Sequence, residues 1–441
     1  MVYGPLVRIA PNSLSLSDPT EIETVYGVSS RFYKSRFFDT IEFEDNEGIV
    51  PDPFTMKDKA MHNRMKRGAA NAYSLNALVK LEPLVEKVVD RLMGILEEAC
   101  ARPGGRCDLG RYLHHFAMDA VLAITFGDDL RFMENGDDAS MLKSMHDYMV
   151  YFAVFMLTVS KVGQVPRMHK ALAGNKLLAK LINSDSAFVE RVMAISTAKT
   201  AENLRDLAEN PHAPCTFLRR LLLNQQQNPK SLTEREVSAH TFGNITAGGD
   251  TTAIALRSII IHLLNHPQAY IRLCREIREE RKLRRPVQYS AASKLPYLSA
   301  VIKEAMRLHP SIAMMLPRTV PAGGAVICGY GIPAGTEIGI NPWVIHRDPL
   351  VFPEPESFKP ERWLTTDPQH LSRMNRSFFA FGSGAHTCSG RHISWLEVHK
   401  LIPTLLLTFD IQFANKEDTT SHTNYWLSTQ TGLVVSLTRY E

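Results

Sequence analysis

Of the six cysteines in the chain, one sits where its neighbours equip it for chemistry. In the stretch FFAFGSGAHTCSGRHIS, residues 378–394, Cys388 follows Phe381, Gly382, Gly384 and His386 and precedes Gly390 and Arg391. Three glycines in nine residues suit a backbone that turns sharply and lets something flat approach closely. The apolar spacing from His392 through Trp395, Val398 and Leu401 to Leu406 predicts a helix starting just after Cys388. A cysteine at a helix N-terminus has its thiolate favoured by the helix dipole and free amide donors, so it is primed to ligate a metal. Two plainer readings stand beside this one. The first is a buried cysteine in a glycine-rich loop. The second is zinc held by His386, Cys388 and His392, which lacks the paired second half of a structural zinc spacing.

A second constellation lies about 140 residues upstream, in Ala247-Gly248-Gly249-Asp250-Thr251-Thr252. It falls in the middle of a helix predicted over 233–265, with Thr233 and Glu236 as a capping box and Asn265-His266-Pro267 as the stop. Such a helix is roughly 50 Å long, enough to cross a whole domain. Two glycines and three poor helix formers at its centre cost about 2 kcal/mol in propensity. Close packing against another helix at the glycines offsets that cost, and so does a ligand seated against bare backbone. A carboxylate beside a hydroxyl, Asp250 and Thr251, is a pairing suited to moving protons.

These elements need a scaffold. SAVIKEAMRLHP predicts a helix ended by Pro310, with Glu304 and Arg307 on one face. Taken alone, this is a surface ion pair of little worth. His62, Arg64, Lys66 and Arg67 crowd positive charge onto another helical segment, which alone reads as a solvated basic face.

The frame F-x-x-G-x-H-x-C-x-G resembles the haem-binding loop of cytochromes P450, in particular fungal microsomal-type members. Four motifs follow that family's order, from about Tyr3 to the C-terminus. The resemblance implies a mainly α fold with small β-sheets, spanning 1–441 as one catalytic domain, with haem b between the central helix and the Cys388 loop. It implies that Cys388 is the axial thiolate ligand of the iron. Phe381 would pack near the sulfur, and Gly384 and Gly390 would permit the turn. His386 stands where arginine usually meets a haem propionate. His62 and, four residues on, Lys66 match the histidine and basic residue that the family sets against a haem propionate, with Lys66 standing where arginine is usual and Arg67 as a second candidate, and Arg318 takes a third propionate position. Gly248 would leave room for dioxygen, and Asp250 and Thr251 would form the acid–alcohol pair that delivers protons to it. Glu304, Arg307 and Arg362, the last in Pro360-Glu361-Arg362-Trp363, would tie into a buried network behind the cysteine loop. The implied activity is monooxygenation of a small apolar substrate, with O2 as co-substrate. Electrons would come from NADPH through NADPH-cytochrome P450 reductase, a separate flavoprotein, with cytochrome b5 as a further partner. Similarity to fungal members suggests secondary-metabolite biosynthesis. Relatives that isomerise or dehydrate substrates without external oxygen typically lose the acid–alcohol pair, which this chain has.

Composition agrees with such an enzyme. At 44% hydrophobic and 22% charged residues the chain is ordinary globular protein, and a net charge of +4 is too small to argue for nucleic acid. The cysteines form no C-x-x-C pair and read as reduced thiols. No dinucleotide or flavin fingerprint is found, so electrons must arrive from elsewhere. No signal peptide or anchor helix is visible, although the resembling family usually carries an anchor on the cytoplasmic face of the endoplasmic reticulum. The longest apolar run, 148–159, is too short to span a bilayer and fits a buried or membrane-dipping helix.

Elsewhere, residues 7–18 predict a hairpin and 20–26 a short helix capped at Asp18-Pro19. Residues 37–56 read as loop, 74–127 and 141–195 as helical, and 224–231 as a polar connector. Strands at 325–328 and 337–340 predict one small sheet, and 426–435 resembles a hairpin whose tip reaches the substrate pocket.

Overall fold

The computed structural model describes residues 4–45, 47–137, 140–155, 187–210, 215–280, 283–415 and 420–440. Its principal helices are α1 (Lys59–Ala69), α2 (Glu82–Ala101), α3 (Leu109–Phe126), α4 (Met141–Phe155), α5 (Ala187–Glu209), α6 (Phe217–Gln227), α7 (Glu234–Asn265), α8 (Pro267–Glu279), α9 (Pro296–Leu308) and α10 (Arg391–Thr408).

The central helix α7 forms as its sequence signals predict. The Thr233 side chain accepts from the Glu236 amide, and the Glu236 carboxylate accepts from the Thr233 amide, satisfying two otherwise orphaned donors. Glu236 also takes the Arg64 guanidinium, so the start of α7 is fastened to α1. Both mid-helix glycines are explained by packing against α3. A side-chain carbon on Gly249 would fall 1.8 Å from the Met118 sulfur, and one on Gly248 would fall 2.7 Å from a Val121 methyl. Leu113, Phe116, Ala117 and Ile124 of α3 are fully buried in the same core.

The helical signal over 74–127 resolves into three helices, because Pro103, Gly104 and Gly105 break the chain between α2 and α3. The 224–231 connector is shorter than its composition suggests, since α6 continues to Gln227. Of the helical stretch 141–195 and the apolar run 148–159, the parts within 156–186 lie outside the described residues.

The strands are β1 (Leu6–Ala10), β2 (Ser13–Leu16), β3 (Tyr33–Lys34), β4 (Arg106–Asp108), β5 (Arg318–Thr319), β6 (Ala325–Ile327), β7 (Tyr330–Ile332), β8 (Glu337–Ile340), β9 (Phe409–Phe413), β10 (Ser421–Asn424), β11 (Ser428–Thr431) and β12 (Val434–Arg439). The hairpin β1–β2 forms as expected, and the short helix after it is capped by Asp18, which accepts from the Thr20 amide. The main sheet has the order β1-β2-β8-β5-β3, with β2 and β8 parallel and Leu14 opposite Ile338. Leu16, Ile338 and Ile340 are fully buried beneath it.

Two sheet expectations are corrected. Segments 325–328 and 337–340 do not pair with each other. β6 turns back on β7 as a separate hairpin, because Cys328 and Gly329 adopt the left-handed backbone a two-residue turn needs, whereas β8 joins the main sheet. The hairpin near the C-terminus is β10–β11, around a turn at 425–427, and residues from Val434 onward pair instead with β9 and β4.

Candidate functional site

Cys388 lies in a loop whose shape is set residue by residue. Its amide donates to the Phe381 carbonyl at 2.8 Å, closing the loop on itself. Gly382 and Gly384 have φ of 68° and 61°, the left-handed region that favours glycine. Gly384 has a second reason as well, since a side-chain carbon there would sit 1.9 Å from the Tyr26 carbonyl oxygen. Gly390 is different. Its φ is −77° and nothing stands within 4 Å of the place a side chain would take, so the turn does not need glycine there. α10 begins at Arg391, and the Gly390 and Arg391 amides point at the sulfur. Burial pushes the Cys388 thiol up, and these amides with the Lys66 and Arg391 charges only partly offset it. A cation bound at the sulfur would favour the thiolate.

Cys388 opens onto a cavity of about 350 Å³. Phe381, His386 and Gly390 of its own loop line it, as do Gly248 and Thr251 of α7, His62 and Lys66 of α1, and Arg318 of β5. Those expected residues converge on one space. Gly384 supports the loop from outside that lining, and Gly248 is part of the lining while a side-chain carbon there would meet Val121 of α3. Of Lys66 and Arg67, it is Lys66 that lines the cavity. Lys66 Nζ donates to the carbonyls of Ala385 and Thr387 at 3.0 and 2.7 Å, whereas Arg67 turns back to the Asn63 carbonyl. His392 does not face the cavity. Its ring accepts from Arg391 Nε, and no metal-sized group of three His, Cys, Asp or Glu occurs among the described residues.

Sequence reasoning missed Lys34, which no motif marks. It lies opposite Arg318 in the main sheet and is 4% exposed, and its Nζ donates to the carbonyls of Pro53, Phe54 and Met56. Lys34, His62, Lys66, Arg318 and His386 all line the cavity, against one carboxylate, Asp52. His62 and His386 have ring centroids 4.3 Å apart, and burial with the surrounding cations holds His62 neutral, its pKa down to about 4. Burial and the nearby Arg318 charge likewise lower Lys34. Arg318 Nε and His386 Nδ1 are buried without a hydrogen-bond partner. Orphaned donors and an excess of buried cations require anionic acceptors. A haem, with two carboxylates at one edge and an iron for Cys388, fits this donor set.

Asp250 is elsewhere. Thr251 faces the Cys388 cavity with Oγ1 donating to the Ala247 carbonyl at 2.7 Å, while Asp250 lines a neighbouring cavity and meets His114 Nε2 at 2.6 Å. The acid and the alcohol thus stand back to back across the helix surface. Trp426 and Leu427, in the turn of the C-terminal hairpin, line both cavities, so that the tip does reach the pocket.

Behind the loop, the expected network is present and larger than expected. Glu304, 0% exposed, accepts from Arg307 Nε and Nη2 at 2.9 Å, Arg362 Nε at 3.0 Å, Trp363 Nε1 at 2.9 Å and the Lys359 amide at 2.9 Å. His346 carries it to the cysteine loop. Its Nδ1 donates to the Arg307 carbonyl at 3.0 Å, and its Nε2 accepts from the Phe379 amide at 2.7 Å.

Comparison with known proteins agrees with this geometry. The family model for cytochrome P450 matches residues 2–435. The chain is 33% identical to cytochrome P450 monooxygenase cicH of Emericella nidulans, over 96% of this chain and 84% of that protein. It is also 33% identical to a cytochrome P450 monooxygenase of Aspergillus terreus, over 93% of this chain and 83% of that one. In fold it resembles a zebrafish cytochrome P450 solved with abiraterone, with a TM-score of 0.77 and 22% identity, covering 100% of this chain and 96% of that one. By its motifs, its fold and these relatives, the chain is a monooxygenase of the cytochrome P450 family.

Proposed function

We propose that residues 1–441 work as one catalytic domain that inserts an oxygen atom from O2 into a small apolar substrate. The carrying observation is that Cys388, five basic or imidazole side chains and Thr251 share a single cavity. Haem b, when bound, supplies dioxygen binding and activation, driven by electrons from outside the chain. Cys388 would ligate its iron, and Lys66, Arg318, His386, His62 and Lys34 would hold its carboxylates. With its own proton held by the Ala247 carbonyl, the Thr251 hydroxyl meets the cavity as an acceptor, and so orients a proton-bearing group there. Asp250, on the opposite side, brings protons from solvent. The apolar lining, including Phe38, Ile312, Leu316 and Leu427, binds substrate and excludes water. This lining suits a terpenoid, polyketide, fatty or aromatic compound, and the fungal relatives support a place in secondary metabolism. Electrons come from NADPH through NADPH-cytochrome P450 reductase, with cytochrome b5 as a second donor. Among the described residues no helix is long and apolar enough to cross a membrane. We assign the work nonetheless to the cytoplasmic face of the endoplasmic reticulum, where that reductase docks.

The test is the optical spectrum of dithionite-reduced protein under carbon monoxide, beside a Cys388→Ser control. A strongly red-shifted Soret band that the control lacks is the expected result. Bound haem with no such shift in the unaltered protein would overturn the ligand assignment.

A further inference from the structure

The second cavity is larger than the first, about 420 Å³, and lies between α3, α4, the middle of α7 and the β10–β11 hairpin. Met149, Trp426 and Leu427 line both cavities and form the partition between them. Trp426 is buried and stacks on Phe37, with Phe54 meeting it edge-on, so it stands as a fixed post. Met149 and Leu427 are only half-buried. An unbranched methionine repacks readily, which lets a slender ligand pass beside the indole. Space creates the need for such a passage. The first cavity must take both the haem and the carbon to be oxidised in about 350 Å³, although about 300 Å³ is the lower end for one small ligand alone. A substrate of any length therefore continues into the second cavity.

The inner wall of that second cavity is short of donors. Gln430 of β11 lines it and is 4% exposed. Its amide is fixed in orientation, because Nε2 donates to the Ile254 carbonyl of α7 at 3.2 Å and the reverse placement would set oxygen against oxygen. Oε1 is thus an acceptor, and it is buried without a hydrogen-bond partner. Asp250, one helical turn before Ile254, is a further acceptor on the same wall, with Oδ1 on His114. The cations of the cavity do not answer these oxygens. Arg257 is committed to the Gly110 and Gln430 carbonyls, and Arg111 and Lys143 are exposed to solvent. A buried acceptor without a donor is destabilising; a ligand hydroxyl relieves that, a hydrocarbon end leaves it, and a carboxylate makes it worse. Val150, Ala253 and Leu433 give the same cavity an apolar side for the carbons leading to such a hydroxyl.

We propose that the second cavity is a substrate subsite for a hydroxyl-bearing end, with Gln430 Oε1 as the specificity-determining acceptor. The substrate is then an elongated apolar compound carrying an alcohol or phenol, oxidised at a carbon remote from that group. This names the substrate class of the monooxygenase reading and rests on it.

The experiment titrates the ferric holoenzyme with 1-decanol, its methyl ether and decanoate. Binding is read from a blue shift of the Soret band and, without the haem spectrum, by equilibrium dialysis. A neutral hydrogen bond is worth about fivefold in an equilibrium constant. The alcohol should therefore bind about fivefold more tightly than the ether, which accepts but cannot donate, and more tightly than decanoate. Gln430→Met should abolish the preference for alcohol over ether. Gln430→Glu loses the same tie to Ile254 but keeps an acceptor, so it should retain the preference. Val150→Phe, which narrows the subsite from α4 and leaves Gln430 in place, should weaken 1-decanol severalfold. The proposal is overturned if alcohol and ether bind alike, if decanoate binds tightest, or if 1-decanol shows no binding at its solubility limit. It is equally overturned if Gln430→Met keeps the preference or Val150→Phe leaves 1-decanol unaffected. A red shift with the alcohol also sinks it, since the hydroxyl would then sit at the iron and not behind the partition. The carbon monoxide spectrum separates the two readings. A strongly red-shifted band with no preference for the alcohol defeats the subsite alone, whereas its absence from the unaltered protein defeats the monooxygenase reading beneath it.

Discussion

Replacing Glu304 with glutamine keeps the volume and removes one charge from the middle of five donors. Arg307 is fully buried and Arg362 nearly so, and both lose their only carboxylate partner within the network. The glutamine amide would also turn two hydrogens toward guanidinium or indole donors. Breaking such a buried pair costs about 3–5 kcal/mol. At ~2.1 cal/mol/K of unfolding entropy per residue, a chain of 441 residues has an unfolding entropy of about 0.9 kcal/mol/K, so the melting temperature should fall by only about 3–5 °C. The local effect should be larger than that suggests. Arg307 carries His346 on its carbonyl, and His346 holds the Phe379 amide at the entrance to the cysteine loop. We therefore expect Glu304→Gln to lose haem far faster than it loses secondary structure. Haem release to a scavenger protein, followed by Soret absorbance beside circular dichroism, measures both. Glu361→Gln is the control, because its pair with Arg272 is about half exposed on both sides and should matter by less than ~1 kcal/mol. The reasoning fails if Glu304→Gln retains haem as well as Glu361→Gln does.

Two further outcomes can be checked. Lys66→Ala should weaken haem retention by about tenfold, since it removes a cavity cation and the ties to Ala385 and Thr387, whereas Arg67→Ala should leave it within twofold; equal losses in an equilibrium haem titration would contradict the assignment. Burial, with the Arg307 and Arg347 charges, holds His346 down to about 3, below its unfolded value near 6.5. The unfolded chain then binds the extra proton first, so stability from this residue is complete above pH 6.5 and drains as pH falls toward 3. His346→Gln should show a flatter stability profile across that window by denaturant titration, and an unchanged slope would refute the neutral, doubly bonded ring.

The sequence was most legible where local chemistry and fold coincide. The capping box, the stop at Pro267 and the glycine-framed cysteine each carry their physics within a few residues, and each is found where expected. Glu304, Arg307 and Arg362 also come together, but through a likeness of motif, since nothing local brings residue 362 to residue 304. Lys34 and His114 were illegible for the same reason. Their meaning lies in partners at Arg318 and Asp250, across a sheet and between two helices. The mid-helix glycines show the opposite lesson. Their cost in propensity was readable, but only the position of α3 reveals that Met118 and Val121 offset it.

The main sheet also imposes a timetable on synthesis. β2 takes its second neighbour from β8, with Leu14 opposite Ile338, so 324 residues separate the two edges that must meet. At a ribosome's pace of about 5–20 residues per second, that edge of the first hairpin waits some 16–65 s for its partner. An unpaired strand edge is an invitation to wrong pairing for as long as it lasts. Arg318 and Lys34 face each other directly across β5 and β3, so their half of the anionic-ligand clamp exists only after residue 319 has been made, and β8, which flanks β5 on its other side, follows later still. Cofactor capture thus falls to a nearly finished polypeptide, and nascent chains stalled before residue 340 should emerge without haem.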